Sequence, residues 1–339
     1  MHRFLPLFMI VALLAGCTAT PEQANKEPRY ETPLSPNSDA IDDSASTSEN
    51  FSLRPEVLLA DVAYLANDEL QGRGLGTAEI EQAAHYIKRR LIELDIEPYQ
   101  GDYLDSFMVE GTPAANVVGV LDSTTSGKGP YQEIVVIGAH YDHIGLIASI
   151  DGDSIANGAN DNASGVAAVL AIAEVLKALE TRNRKVVVAL YSAEESGLLG
   201  SKHLAERMKA AGENVVAVLN FEMIGMPMQG REFVTYATGY DISNIAEVFN
   251  LDGQALKSVG KLDKAAEFQL FKRSDNYPFY QVFGVPAHTF STFDFTNFPQ
   301  YHQVTDEVSA LDIDHMRTVV NALLPGIIRV VNHDDLTLY

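Results

Sequence analysis

Four short, unbroken apolar runs constrain the architecture most: Asn116–Leu121, Glu133–Gly138, Lys185–Tyr191 and Val215–Phe221, each rich in valine. A strand with one face in water alternates apolar and polar residues, whereas a strand covered on both faces can be apolar throughout. Each run therefore needs packing partners above and below, and the intervening sequence supplies them. From Thr77 to Asp95 the residues Ile80, Ala84, Ile87, Leu91 and Leu94 follow a 4-3-4-3 spacing. That spacing predicts an amphipathic helix with Thr77 as its N-cap, Glu79 in its first turn and Pro98 beyond its end. Ser164–Leu179 is a long alanine-rich helical stretch, Ser201–Ala211 follows the third run, and Leu311–Val331 closes the chain as a helix. Residues 51–339 are thus expected to form one α/β domain, with helices on both sides of a largely parallel sheet.

Open α/β sheets place their sites beyond the carboxyl ends of the strands, and the polar residues of this chain collect there. The second run leads into His140-Tyr141-Asp142-His143, the third into Glu194-Glu195, and the fourth directly into Glu222. Asp161 lies in Asn157-Gly158-Ala159-Asn160-Asp161-Asn162-Ala163-Ser164-Gly165, just before the alanine-rich helix, and His302 in a loop before the last helix. Two histidines with several carboxylates suit zinc or a mixed divalent site. A short turn brings Asp142 to the same side as His140, where its carboxylate can accept the imidazole N–H and fix the tautomer. Adjacent acids after a strand divide the work: one binds metal, and its neighbour takes a proton from water.

Composition narrows the alternatives. The chain of 339 residues has one cysteine, which excludes intramolecular disulfides and any cysteine-based zinc site. With 24 Lys+Arg against 46 Asp+Glu the net charge is −22. Nonspecific binding to nucleic acid or anionic lipid needs a basic face, so no nucleic-acid partner is expected.

The set Gly138-Ala139-His140-Tyr141-Asp142-His143, Gly158 to Gly165, Ser192-Ala193-Glu194-Glu195-Ser196-Gly197, Asn220-Phe221-Glu222-Met223, Ser274-Asp275-Asn276 and Tyr301-His302 resembles the family-28 metallopeptidases of clan MH. These include the co-catalytic dizinc aminopeptidases. The resemblance begins near Leu70-Gln71-Gly72-Arg73-Gly74 and runs to the last helix. It implies a three-layer α/β/α sandwich around a mixed, largely parallel sheet, two zinc ions per chain and peptide substrates. By the same resemblance Asp161 bridges the two ions, His140 and Glu222 complete one position, and Glu195 and His302 complete the other. Glu194 is the general base and Asp142 holds His140. Together they imply an aminopeptidase that hydrolyses N-terminal residues by metal-activated water.

Three positions depart from the family pattern. Glu222 stands where aspartate is usual, and Asn276 replaces the histidine of Ser-Asp-His. Phe271 occupies the place of an oxyanion-stabilising tyrosine, leaving Tyr277, Tyr301 or the metal itself for that role. The same-fold alternative is a glutaminyl cyclase with one zinc, and the alternative from another class is a catalytically silent binding lipoprotein. The five-ligand set and Glu194 favour the peptidase. His143 belongs to the motif without being a family ligand and is read as supporting the ligands. His85, His203, His288, His315 and His333 are read as surface or satisfied core residues. Between Ile96 and Glu133 there is no room for the protease-associated insert of larger family members, so the site is expected to be open.

Residues 1–16 pair a basic start, His2 and Arg3, with an apolar run from Phe4 to Ala15 that is too short to span a bilayer. Leu14-Ala15-Gly16-Cys17 resembles the lipobox of bacterial lipoproteins, which implies an acylated Cys17 as membrane anchor. Thr18, not aspartate, follows it, implying an outer-membrane lipoprotein facing the periplasm or the cell surface. Residues 17–50 read as a solvated tether, since 18–50 carry 7 acidic and 2 basic residues, 4 Pro and 5 Ser.

Overall fold

The valine-rich runs form the middle of a nine-stranded sheet. The computed structural model describes residues 53–125, 132–250, 256–332 and 335–339. The expected leader, Cys17, the tether to residue 50 and His333 lie outside the described residues. In chain order the strands are β1 (Glu97–Pro98), β2 (Leu104–Val109), β3 (Thr112–Leu121), β4 (Glu133–His140), β5 (Leu146–Ile150), β6 (Asp153–Ile155), β7 (Lys185–Tyr191), β8 (Asn214–Phe221), β9 (Phe233–Ala237), β10 (Lys257–Gly260) and β11 (Ala287–Ser291). The α-helices are α1 (Pro55–Leu65), α2 (Ala78–Glu93), α3 (Gly165–Ala178), α4 (Leu199–Ala210), α5 (Ile245–Phe249), α6 (Asp263–Glu267), α7 (Asn276–Phe283) and α8 (Ile313–Asn332).

The order across the sheet is β1-β3-β7-β4-β8-β11-β9-β10, with β2 paired to β3, while β5 and β6 form a separate hairpin. β7, β4, β8 and β11 run parallel to one another. β3 flanks them antiparallel on one side and β9 on the other. The sheet is therefore mixed with a parallel centre, and helices cover both of its faces.

The runs are unbroken because each face meets its own core. Along β4, Val135 and Ile137 pack into one cluster with residues of α1, α2, α3 and α8. Ile134 and Val136 pack into a second cluster with residues of α4 and α7. Val186, Val188 and Leu190 of β7 join the first cluster, and Val187, Ala189 and Tyr191 the second. Each fully buried side chain of this size contributes roughly 1.5–3 kcal/mol, so a polar residue on either face would cost stability.

The expected helices lie within a few residues of their observed bounds, and the Thr77 side chain caps α2 by accepting the Ile80 N–H at 3.3 Å. β11 has no counterpart among the four apolar runs. Its sequence, Ala287-His288-Thr289-Phe290-Ser291, carries polar residues, yet every position is buried. They are satisfied by residues from other segments: His288 Nδ1 faces the Thr238 carbonyl at 2.8 Å, and Thr289 Oγ1 donates to Asn276 Oδ1 at 2.8 Å.

Candidate metal centre

The carboxyl ends of β4, β7 and β8 lie side by side and deliver His140, Glu194-Glu195 and Glu222 to one place. The segment before α3 faces them. Its polar side chains are buried because they are spent on the backbone that follows β8. Asn162 Nδ2 donates to the Phe221 carbonyl at 2.9 Å, and Asn162 Oδ1 accepts the Met223 N–H at 3.1 Å. Asn160 Oδ1 accepts from Gly225 N at 2.8 Å, and Ser164 Oγ accepts from Ile224 N at 3.1 Å. Gly165 is required by the same closeness, since a Cβ there would lie 2.4 Å from Asn162 Oδ1 and 2.5 Å from the Phe221 carbonyl oxygen. Asn160, Asn162 and Ser164 thus hold the strand end that presents Glu222, and Asp161 is left to face the site.

Two groups of potential ligand atoms result. His143, Asp161, Glu195 and His302 form one, and His140, Glu194 and Glu222 the other, the atoms of each group lying within 4.8 Å of one another. Asp161 links them: Oδ1 is 3.3 Å from His140 Nε2, and Oδ2 is 3.2 Å from His302 Nε2. His302 Nε2 is also 3.4 Å from Glu195 Oε1. All seven residues implied by the sequence, Asp142 included, lie in this neighbourhood.

Asp142 acts differently from expectation. His140 Nδ1 faces the Asp142 backbone carbonyl at 3.1 Å, while the nearer carboxylate oxygen is 3.8 Å away. The carboxylate instead accepts the backbone N–H groups of Glu194 at 3.1 Å and Glu195 at 3.3 Å. The turn it holds needs support, because Ala193 has φ 58°, a left-handed conformation unusual for a residue with a side chain. Met223 and His302, also at the site, have φ 50° and 58°.

The electrostatics are those of an acidic centre. Burial pushes Asp142 up to about 6, Glu222 up to about 7 and Asp275 up to about 7, with neighbouring carboxylates adding to the rise. Glu194 is driven well above the carboxylate range by burial, reinforced by Glu222, Asp275 and Glu195. Burial alone would also raise Asp161, but the imidazoles of His140 and His302, 3.3 and 3.2 Å from its oxygens, outweigh it and hold the group low. Burial would lower His302, but the carboxylates of Asp161 and Glu195, 3.2 and 3.4 Å from Nε2, lift it to about 10. Glu222 Oε2 is shielded from solvent and has no hydrogen-bond partner. Converging carboxylates, imidazole nitrogens aimed at them and an unpartnered buried oxygen are what a cation would compensate. The donors are nitrogen and oxygen only, as zinc accepts.

The supporting roles of Asp306 and Arg73 escaped the sequence reading, which had Arg73 only in the stretch where the resemblance begins. Asp306 accepts the N–H groups of Asn160 at 2.7 Å and Asp161 at 3.0 Å, tying the His302 loop to the segment that carries Asp161. Arg73 is fully buried and donates to the carbonyls of Tyr141 at 2.6 Å, Asn157 at 2.6 Å and Gly158 at 3.0 Å, and to that of Leu65. It pins the two ligand-bearing loops to the end of α1. An arginine in a short polar segment carries no signal of such burial. Of the residues that depart from the family pattern, Asn276 ties Phe271 and Ala287 together, donating to their carbonyls at 3.1 and 3.2 Å. Tyr277 packs against Phe271 and Tyr280. Tyr301 instead lines a cleft with Glu222, Arg273, Phe293 and Phe295, and stacks on His302 with ring centroids 3.9 Å apart.

Comparison with known proteins accords with this geometry. Residues 116–326, more than half of the chain, match the model of peptidase family M28. The chain is similar to a probable leucine aminopeptidase of Trichophyton verrucosum, 31% identical over 198 residues, a stretch covering 56% of this chain and 50% of that protein. The chain thus spans about half the length of the curated relatives it matches. Among solved structures it is similar to BSAP, a zinc aminopeptidase from Bacillus subtilis, at 15% identity over 84% of this chain and 97% of that one, with a TM-score of 0.62. A glutaminyl cyclase from Bacteroides thetaiotaomicron is similar at 18% identity over 83% and 98% of the two chains, with a TM-score of 0.60. At these identities the structural likenesses show the fold alone.

Proposed function

The chain belongs to peptidase family M28, and we propose that it is a zinc-dependent aminopeptidase that removes N-terminal residues from peptides. The observation that carries this reading is Asp161, whose two oxygens face different histidines at 3.3 and 3.2 Å. One carboxylate shared between two groups of donors suits a pair of cations. In this reading Asp161 would be shared between two zinc ions, His140 and Glu222 would hold one, and Glu195 and His302 would hold the other. Bound zinc would polarise the scissile carbonyl and ease the deprotonation of water.

The protein's own groups do the rest. Glu194, whose carboxylate converges with His140 and Glu222, takes the proton from the attacking water and passes it to the leaving amine. Asp142 fixes Glu194 and Glu195 through their backbone N–H groups, and its carbonyl holds His140 with Nε2 toward the centre. Tyr301, in the cleft beside Glu222, offers a hydroxyl to the substrate carbonyl oxygen.

Metal content per chain, together with turnover of aminoacyl-nitroanilides and of peptides with N-terminal glutamine, tests the reading. Two zinc ions with nitroanilide hydrolysis is the expected result. One zinc with cyclisation of glutamine would favour the cyclase, and no turnover of either would favour a binding protein.

The N-terminal sequence supports a further part of the reading: Cys17 carries the lipid that anchors the catalytic domain to the outer membrane through the 17–50 tether. Acyl chains on that residue would give stable attachment. Cys17→Ser should move the protein from the detergent phase to the aqueous phase. If given an alternative cleavable signal, the variant should remain active. A variant that still partitions with membrane would remove Cys17 as the anchor.

A further inference from the structure

We infer that His143 is itself a metal ligand, the fourth protein donor at the position formed by Asp161, Glu195 and His302. The inference rests on the dizinc reading above and adds a residue which that reading leaves out.

Its basis is the spacing of four atoms. His143 Nδ1 is 3.0 Å from Glu195 Oε1 and 3.7 Å from Asp161 Oδ2. His302 Nε2 is 3.2 Å from the same Asp161 oxygen and 3.4 Å from the same Glu195 oxygen. Nitrogen and oxygen donors about 2.0–2.1 Å from a tetrahedral zinc lie roughly 3.3–3.4 Å from one another. The four separations scatter about that edge length. His143 Nδ1 is hydrogen-bonded to Glu195 Oε1 and also has Asp161 Oδ2 at 3.7 Å, so a cation held between those two carboxylates would lie against the same nitrogen.

The ring is held for this purpose. Its side chain is fully buried, and it meets His302 edge-on with ring centroids 5.5 Å apart. Gly158, at φ +60°, makes room for it, since a Cβ there would lie 2.6 Å from two ring carbons of His143. Nε2 is buried without a hydrogen-bond partner, so only Nδ1 has groups to engage. The two metal positions are then unequal. One has four protein donors, His143, Asp161, Glu195 and His302, and the other has Asp161, His140 and Glu222. Four protein donors close a zinc position, while fewer leave room for water or substrate.

The test is a direct count of nitrogen–metal bonds. Protein with isotopically labelled histidine nitrogens is loaded with a spin-half cadmium isotope, and one-bond cadmium–nitrogen couplings are recorded. Three couplings are expected, two to Nε2 atoms, from His140 and His302, and one to an Nδ1 atom. His143→Gln should remove the Nδ1 coupling and leave the other two. If that variant fails to fold, the wild-type spectrum decides, because Nδ1 and Nε2 are distinguished by their ring-proton couplings. Two Nε2 couplings without an Nδ1 coupling would overturn the role of His143 while leaving the metal centre intact. Absence of coupling to every histidine would overturn both readings.

Discussion

Asp142 Oδ1 accepts the backbone N–H of Glu194 at 3.1 Å. Its second oxygen accepts that of Glu195 at 3.3 Å. One carboxylate therefore fixes both the residue proposed to move the proton and the neighbour proposed to bind metal. Asp142→Asn replaces one acceptor with an NH2 group facing an N–H donor. The fold should persist, and metal affinity should fall ~10–100-fold, as it does when groups behind metal ligands are lost. Chelator competition measures this, and wild-type affinity would show that the turn needs no such support.

Glu194→Gln keeps the size of the side chain and removes the proton acceptor. Zinc content should stay at the wild-type level while kcat falls by at least ~10²–10⁴-fold, the usual worth of general acid–base catalysis. A variant with normal turnover would assign the proton transfer to another group.

Glu222 is one methylene longer than the aspartate usual in the family, and its Oε2 is buried without a partner. Glu222→Asp should retain two zinc ions while altering zinc affinity or turnover. Glu222→Ala should lose one ion and most activity, because a methyl group cannot replace an anionic oxygen ligand. Elemental analysis of both variants decides. Two ions and full activity in the alanine variant would take Glu222 out of the centre.

His288 sets a pH dependence away from the metal. Burial lowers its pKa to about 4, and the Thr238 carbonyl only partly opposes the shift. Ser243 Oγ lies 2.7 Å from its Nε2, so the neutral ring is satisfied on both sides. The unfolded chain takes up this proton as pH falls through about 6.5, the folded protein only near 4. Stability from this group is therefore complete above pH 6.5 and lost as pH falls toward 4, by ~3 kcal/mol. His288→Gln does not titrate. Denaturant unfolding should show the wild-type advantage over this variant shrinking by about that amount between pH 7 and pH 4. A constant difference would contradict the assignment.

The order of motifs along the chain was legible because covalent neighbours enforce it. A valine run buried on both faces must be a central strand, and the residue after its carboxyl end must lie at the edge where sites form. His140, Glu194, Glu195 and Glu222 could be found in that way. Thr77 could be placed because an N-cap bonds within one turn. β11 was not legible, because Thr238 and Asn276, which satisfy its buried His288 and Thr289, are remote in sequence.

By itself, the sequence determined the class of fold, the absence of cysteine ligands and the set of side chains available to a metal. Only the tertiary structure decided how those side chains share the work. It turned the Asp142 carboxylate toward a turn 52 positions away, buried Arg73 under two loops, set Asp306 behind Asp161 and aimed His143 Nδ1 at two carboxylates. Residue spacing limits how far a side chain can reach. The direction it takes is set by which loops the packed sheet and helices bring opposite it, and those loops are separated by long stretches of chain.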